Sequence, residues 1–137
     1  MLAPTVWAFI CYSHEDSFAA HNIIRSLRKA YIQETIDIRF MVGGDAIKER
    51  LEQVIKESQV MLFLASLSSV KSDWCSWERQ IASKYDIPIL PVKLEPSVEI
   101  PADLADLNWL SLGNEDPDGD LLRLVGSIYR NHKSKAA

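Results

Sequence analysis

Apolar residues recur along the chain at two spacings, which predict strands followed by helices. Val6–Tyr12 is rich in β-branched and aromatic residues and is apolar on both faces, as expected of a strand buried in a parallel sheet. The polar segment Ser13–Asp16 follows and supplies capping residues and acidic charges for a helix start. Helical spacing then predicts a helix that carries Phe18, Ile23, Ile24, Leu27 and Tyr31.

Further apolar runs of strand length predict the rest of the sheet. They are Ile36–Phe40, Val60–Ala65, Ile87–Leu94 and Asn108–Leu112. The second of these runs is the most continuously apolar, which indicates a buried strand. Pro88 and Pro91 cannot donate to a strand ladder, so the run that contains them is expected near a sheet edge or with a distorted start.

Two more helices are predicted between these strands. Trp74–Tyr85 is the later one, and Ser72 or Asp73 is placed to cap it. The earlier one follows a loop with the sequence Gly43-Gly44-Asp45. Its apolar face is expected to consist of Ile47, Leu51, Val54 and Ile55.

The alternation of strands and helices predicts an α/β fold. We expect a flavodoxin-like open sheet of about five parallel strands with helices on both faces. No repeat, low-complexity tract or linker divides the chain, so we expect a single domain over 1–137, with its core at about 6–130 and a polar tail at 131–137. A closing helix is predicted at Leu121–Tyr129. Its apolar stripe is expected to be Leu122, Val125 and Tyr129.

The composition is that of an ordinary globular domain and excludes several classes of protein. Of the 137 residues, 47% are hydrophobic and 25% are charged, and a net charge of −4 argues against a nucleic acid partner. No run approaches the roughly 20 apolar residues of a membrane helix, and no signal peptide is evident, so we expect no membrane partner and a cytoplasmic location. Cys11 and Cys75 lie in unlike contexts, which argues against a disulfide framework.

Ligands of open parallel sheets bind at the carboxyl ends of the strands, near the point where the strand order reverses. The loops expected at this edge are Ser13–Asp16, Met41–Ala46 and Ser66–Trp74. Glu78 lies just inside the helix after the third loop, four residues beyond Trp74. Because residues i and i+4 project from one helical face, this indole and carboxylate are expected to line one pocket. Alternatively, Glu78 is an exposed acid favoured by the helix dipole, and Trp74 is a packing residue.

Three segments resemble conserved stretches of the TIR (Toll/interleukin-1 receptor) domain family. Phe9–Asp16 is similar to the opening box of the family, Phe-Ile-Ser-Tyr-Ser followed by polar and acidic residues. Val60–Ser66 and Ser72–Glu78 resemble the second conserved stretch, in which a strand ends in Ser and a Trp-Cys pair precedes a Glu. The resemblance extends from about residue 6 to residue 94 and, more weakly, through the last helix. The pattern looks more bacterial than vertebrate.

The resemblance implies cleavage of NAD+ between nicotinamide and ribose, because catalytic TIR domains use a Glu that lies four residues after a Trp. Glu78 is the implied catalytic residue, and Trp74 is expected to stack on a nicotinamide or adenine ring. Positive charge develops on the ribose, where a carboxylate stabilises it, and nicotinamide departs neutral without a second acid. NAD+ is then a substrate and no cofactor is required. The expected products are nicotinamide and ADP-ribose or a cyclic isomer, serving defence signalling.

Five further residues are expected to contact the substrate. Tyr12, Ser13 and His14 follow the first strand and are placed to form the floor of the pocket. Helix capping is the alternative for Ser13, and simple exposure is the alternative for His14. Gly44 and Asp45 lie where TIR domains carry a loop that gates the pocket and mediates self-association with other TIR domains, and a plain turn is the alternative.

Neither a metal nor a redox cofactor is indicated by the spacing of the candidate ligands. Cys11 stands where the family has Ser inside a strand and is expected in the core. Cys75 starts a helix, which favours a lowered pKa, but no nearby His is indicated as its base. The spacings match neither zinc nor calcium sites, and no Gly-x-Gly-x-x-Gly loop is present.

Three other functions agree with parts of the pattern. A non-enzymatic TIR scaffold binds other TIR domains, although such members commonly lack the Glu. A response-regulator receiver shares the alternation of strands and helices, but it needs an Asp where this sequence has Ala65-Ser66. A nucleoside deoxyribosyltransferase-like enzyme also uses a Glu at a ribosyl carbon, but no further residue here matches it.

Overall fold

The computed structural model describes residues 5–35, 47–107, 109–112 and 117–133. Within them, a single parallel sheet has the strand order β2-β1-β3-β4-β5. The strands are β1 (Val6–Cys11), β2 (Ile32–Glu34), β3 (Val60–Ala65), β4 (Ile89–Lys93) and β5 (Leu110–Ser111). The α-helices are α1 (Ser17–Arg28), α2 (Ile47–Glu57), α3 (Asp73–Lys84) and α4 (Pro117–Asn131). The predicted flavodoxin-like α/β fold is confirmed.

Helices cover both faces of the sheet, because the side chains of a strand alternate between its two faces. The even-numbered residues of β3 join a buried cluster with α1 and α4, whose main contributors are Leu27, Leu124 and Ile128. The odd-numbered residues of β3 join a second cluster with α2 and α3, which includes Leu51 and Ile55. All six residues of β3 are buried, as its unbroken apolar run predicts.

The strand beside β1 begins earlier than predicted. Ile32 pairs with Val6, and Tyr31, which lies in the turn between α1 and this strand, has a positive φ of 63°. Tyr31 is therefore outside the helix that was predicted to contain it. Phe18, predicted on the apolar face of the same helix, is instead 82% exposed. The predicted strand Ile36–Phe40 lies outside the described residues.

The strand β4 pairs on both sides, and it is the second strand from the end of the sheet, so it lies near an edge as its two prolines predict. The amide of Leu94 donates to the carbonyl of Ala65 in β3, and alternation turns the nitrogen of Pro91 to the opposite side, toward β5. Pairing with β5 begins only at Val92. Pro91 is tolerated there because no β5 residue pairs at its position.

The buried stripe of α4 also differs from the prediction. Leu124 and Ile128 are fully buried, whereas Leu122 is 73% exposed and Tyr129 is 39% exposed. Of the predicted stripe, Val125 is half-buried and packs against the core. Apolar residues occupy adjacent positions along this helix, so the sequence permits more than one stripe, and packing against the sheet selects between them. No described helix combines the length and the apolar character needed to span a bilayer.

Glu52 links α2 to α3. The hydroxyl of Tyr85 donates to its carboxylate at 2.5 Å, and the ammonium of Lys84 does so at 3.1 Å. The hydrogen bond from Tyr85 is the larger cause, and together the two contacts hold the pKa of Glu52 below its usual value. The ionised carboxylate is therefore favoured in the folded protein.

We predict that Glu52→Gln destabilises the protein slightly near neutral pH. The group has a lowered folded-state pKa, so its contribution is present above the usual Glu pKa of about 4.3 and is lost as the pH falls through the lowered value. Urea unfolding at neutral and at strongly acidic pH measures the difference, and the exposed Glu99→Gln is the matched control. An equal effect of Glu52→Gln at both pH values would contradict the assignment.

Candidate functional site

The strand order reverses between β1 and β3, which makes their carboxyl ends the expected ligand site of this fold. From β1 the sheet continues on one side to β2, and on the other to β3 and its successors. Cys11, the last residue of β1, pairs with Phe63 near the end of β3. The loops after these two strands and the start of α3 surround this point.

The loops after β1 and β3 are joined by side-chain hydrogen bonds. The hydroxyl of Ser66 donates to Asp16 at 2.5 Å, and the hydroxyl of Ser68 donates to Glu15 at 2.5 Å. Neither Ser13 nor Asp16 makes a side-chain cap, so the capping alternative for the first loop is wrong. The acids of this loop instead fix its position relative to β3.

The serine-rich loop after β3 is ordered by its own hydroxyl groups. The hydroxyl of Ser69 donates to the carbonyl of Leu64 at 2.7 Å and accepts from the amide of Ser66 at 2.8 Å. The hydroxyl of Ser72 then accepts from the amide of Cys75 at 3.1 Å, which confirms the predicted cap of α3. These bonds set where α3 begins and hence which of its residues face the sheet.

Ser72→Ala is expected to destabilise the fold by about 1 kcal/mol, since an amide of the first turn of α3 loses its acceptor. The denaturant midpoint should fall with the slope unchanged. Ser83→Ala, at an exposed position near the other end of α3, serves as the control and is expected to change stability by less than about 0.5 kcal/mol. Equal effects of the two substitutions would contradict the capping role.

Glu78 is fully buried, with 0% of its surface exposed. The alternative of an exposed acid at a helix start is therefore wrong. Its carboxylate and the sulfur atoms of Cys11 and Cys75 all lie within 4.8 Å of one another. Cys75 and Glu78 are three residues apart in α3 and thus share a helical face, which packs against the end of β1. A carboxylate is almost never fully buried unless it is paired, so its burial at the ligand site of the fold marks a candidate functional group.

Both cysteines are buried thiols. The thiol of Cys11 donates to the carbonyl of Cys75 at 3.7 Å. Burial is the main cause that raises the pKa of Cys11 well above its usual value, and the nearby charge of Glu78 adds to it. Cys11 is thus a core thiol, as predicted, and its burial favours the protonated form.

Trp74 and Trp77 form a half-buried aromatic pair at the edge of this site. Their ring centroids are 5.7 Å apart, and both side chains pack partly buried against the cluster between the sheet and α3. The indole nitrogen of Trp74 is buried and has no hydrogen-bond partner within the described part of the chain. The ammonium of Lys48 lies 6.0 Å from the Trp74 ring and 5.6 Å from the Trp77 ring.

Lys48 was not identified from the sequence. It is an exposed residue near the start of α2, and nothing in its local pattern separates it from other surface lysines. The proximity of α2 and α3 brings it to the aromatic pair. The cation next to Glu78 in the sequence, Arg79, lies over the ring of Phe63 at 4.5 Å and donates to Asp103 at 3.2 Å.

The remaining candidate residues are dispersed around the site. Tyr12 is buried, Ser13 is half-buried and His14 is exposed in the short turn before α1. Only Tyr12 therefore has the burial of a pocket floor. Gly44 and Asp45 lie outside the described residues, so their predicted contacts with a substrate stay predictions.

The fold and the site together define a flavodoxin-like α/β domain with a buried carboxylate at its switch point. The sequence model of the TIR domain matches residues 8–125. The chain belongs to the TIR domain family.

Individual relatives agree with this assignment. Human Toll-like receptor 1 is 36% identical over 76 residues, which cover 55% of this chain and 10% of the receptor, so the match spans only about a tenth of that relative. The TIR domain of the Toll-related receptor TRR-2 from Hydra magnipapillata superimposes with a TM-score of 0.74 and 24% identity, covering 90% of this chain and 98% of that one.

The fold is also similar to that of the CMP N-glycosidase BcmB from Clostridium botulinum. Its TM-score is 0.62 and its identity 15%, over 90% of this chain and 98% of that one. At this identity the similarity shows the fold alone.

Proposed function

We propose that this TIR domain cleaves NAD+ at the bond between nicotinamide and ribose, with Glu78 as the catalytic residue. The observation that carries the proposal is the complete burial of the Glu78 carboxylate at the switch point between β1 and β3. A charge held away from water interacts more strongly with a developing opposite charge than the same charge in solvent. Such a group suits a reaction whose transition state is a cation.

The proposed reaction needs one carboxylate. As the glycosidic bond breaks, its electron pair leaves with nicotinamide, which becomes neutral, and the ribose carbon becomes positive. Glu78 stabilises this cation electrostatically. Water then attacks the carbon and loses a proton to give ADP-ribose, or a nucleophile within the molecule attacks to give a cyclic isomer.

The aromatic pair is proposed to bind the rings of the substrate. Trp74 offers a face for stacking, and its buried indole nitrogen is a donor for a polar group of the ligand. Lys48 is close enough to these rings to attract the diphosphate of a bound dinucleotide. Tyr12, Ser13 and His14 are proposed as further contacts.

Access to Glu78 makes assembly part of the proposal. In the single chain the carboxylate is fully buried, so NAD+ reaches it only when neighbouring groups move. We propose that self-association with other TIR domains produces this movement in the cytoplasm, so that NAD+ consumption serves defence signalling.

The test is incubation of concentrated protein with NAD+, followed by chromatographic separation of nicotinamide, ADP-ribose and its cyclic isomers. We expect nicotinamide and an ADP-ribose species to appear in equal amounts. Intact NAD+ after incubation of protein that is shown to be assembled would overturn the proposal.

A scaffold role is the second candidate, and the similarity to Toll-like receptors favours it. In that case the domain binds other TIR domains and Glu78 has no substrate. The two functions differ in one result, because a scaffold sediments as an assembly and leaves NAD+ intact. An enzyme turns over NAD+ in the same assembled fraction.

A further inference from the structure

A second chemistry is available at the end of β1, apart from the proposed reaction. Two thiols and one carboxylate converge there, from Cys11, Cys75 and Glu78, with their donor atoms within 4.8 Å of one another. All three residues are fully buried. They come from two elements, because Cys11 ends β1 and the other two lie three residues apart in α3.

We propose that Cys11, Cys75 and Glu78 form a binding site for a zinc-class divalent ion. Sulfur and carboxylate oxygen are both established zinc ligands. Zinc bonds to sulfur at about 2.3 Å and to oxygen at about 2.0 Å, so ligand atoms around a tetrahedral ion are about 3.6 Å apart. A bound ion would require the three donor atoms, which lie within 4.8 Å of one another, to close to this separation by rotation of their side chains.

A bound divalent ion offsets two of the three negative charges that its ligands carry. Each thiol loses its proton on coordination, so a divalent ion and two thiols give a neutral dithiolate complex and two released protons. Glu78 adds one negative charge as the third ligand, so the complete site with a bound ion has a net charge of −1. The fourth position of a tetrahedral ion is left to water or another small ligand, as in three-ligand zinc sites.

The sequence gives no sign of this site, because Cys11 and Cys75 are 64 residues apart and form no short metal-binding motif. For a single buried cysteine, packing is a sufficient explanation. The convergence of two thiols with a carboxylate at the same point goes beyond packing, since all three are donors that zinc uses. An ion bound here engages the carboxylate that the proposed NAD+ reaction requires, so binding of metal and turnover of NAD+ exclude each other.

Cobalt(II) is the probe that tests the site, because its spectrum identifies sulfur ligands. Cys11 and Cys75 are the only cysteines of the chain, so a sulfur-to-cobalt charge-transfer band must come from them. We expect this band and the visible bands of a tetrahedral complex to saturate at a single ion per chain, and zinc to remove both. A folded wild-type protein that shows no charge-transfer band with excess cobalt would overturn the proposal.

Variants locate the ligands. Cys11→Ser and Cys75→Ser are each expected to weaken cobalt binding by more than about 100-fold. Loss of a group that only orients a metal ligand weakens binding by up to about 100-fold, and loss of the ligand itself should cost more. Glu78→Gln keeps both thiols and is expected to shift the visible bands and weaken binding. His21→Ala, at an exposed position in α1, is the control for surface binding and is expected to change nothing. A spectrum and affinity unchanged in Glu78→Gln would contradict the third ligand.

The wild-type spectrum decides the question even if a cysteine variant fails to fold. It is recorded without NAD+, so a failure of the metal proposal leaves the proposed reaction untouched. Conversely, a protein that never cleaves NAD+ is still expected to bind cobalt. The two proposals therefore fail separately.

Discussion

Glu78→Gln is expected to lower the rate of NAD+ cleavage at least about 1000-fold, which corresponds to about 4 kcal/mol of transition-state stabilisation. The substitution keeps the size of the side chain and removes the charge that opposes the developing cation. Because the carboxylate is fully buried, the loss of its charge also removes a desolvation cost, and we expect the folded state to be at least as stable. Nicotinamide release under single-turnover conditions and urea unfolding measure the two effects.

Asp73→Asn is the matched control for this substitution. Asp73 is an exposed acid in the first turn of the same helix, so it reports the effect of removing one negative charge near the site. We expect its rate to stay within a few-fold of the wild type. A thousandfold loss of rate in both variants would show that the rate depends on the overall negative charge at the start of α3 and not on Glu78 in particular.

Leu124→Ala is expected to destabilise the protein by about 3 kcal/mol, within the range of 2–5 kcal/mol found for buried leucines. The residue is fully buried in the cluster between α4 and the sheet, so truncation leaves a cavity among side chains that cannot collapse. The denaturant midpoint gives the change in the free energy of unfolding.

Leu122→Ala is the control because the same change of residue falls two positions away on the exposed face of α4. Its effect is expected to lie within about 0.5 kcal/mol of zero. A larger loss of stability in Leu122→Ala than in Leu124→Ala would instead support the apolar stripe predicted from the sequence.

The elements with the strongest apolar pattern could be predicted from the sequence. Val60–Ala65 is buried throughout because it lies at the centre of the sheet, and a continuous apolar run of this length predicts a strand that is covered on both faces. The cap at Ser72 follows from local chemistry alone. The position of Glu78 in the first turns of α3 followed from the same cap.

Other features depend on contacts that no local pattern contains. The stripe of α4 was mispredicted because packing chose Leu124 over Leu122. The carboxylate of Glu78 lies within 4.8 Å of the sulfur of Cys11, a residue of β1 that is far away in the sequence. The turn before β2 contains Tyr31 with a positive φ, a conformation that sequence does not favour for tyrosine.

The most direct test of the central claim compares the wild type with Glu78→Gln. It measures the nicotinamide released per chain over a series of protein concentrations. Because the buried carboxylate is proposed to become accessible through self-association, the yield per chain of the wild type should rise with protein concentration. The variant should release none. Equal release by both proteins, or none by the wild type at any concentration, would contradict the assignment of Glu78 as the catalytic residue of an NAD+-cleaving TIR domain.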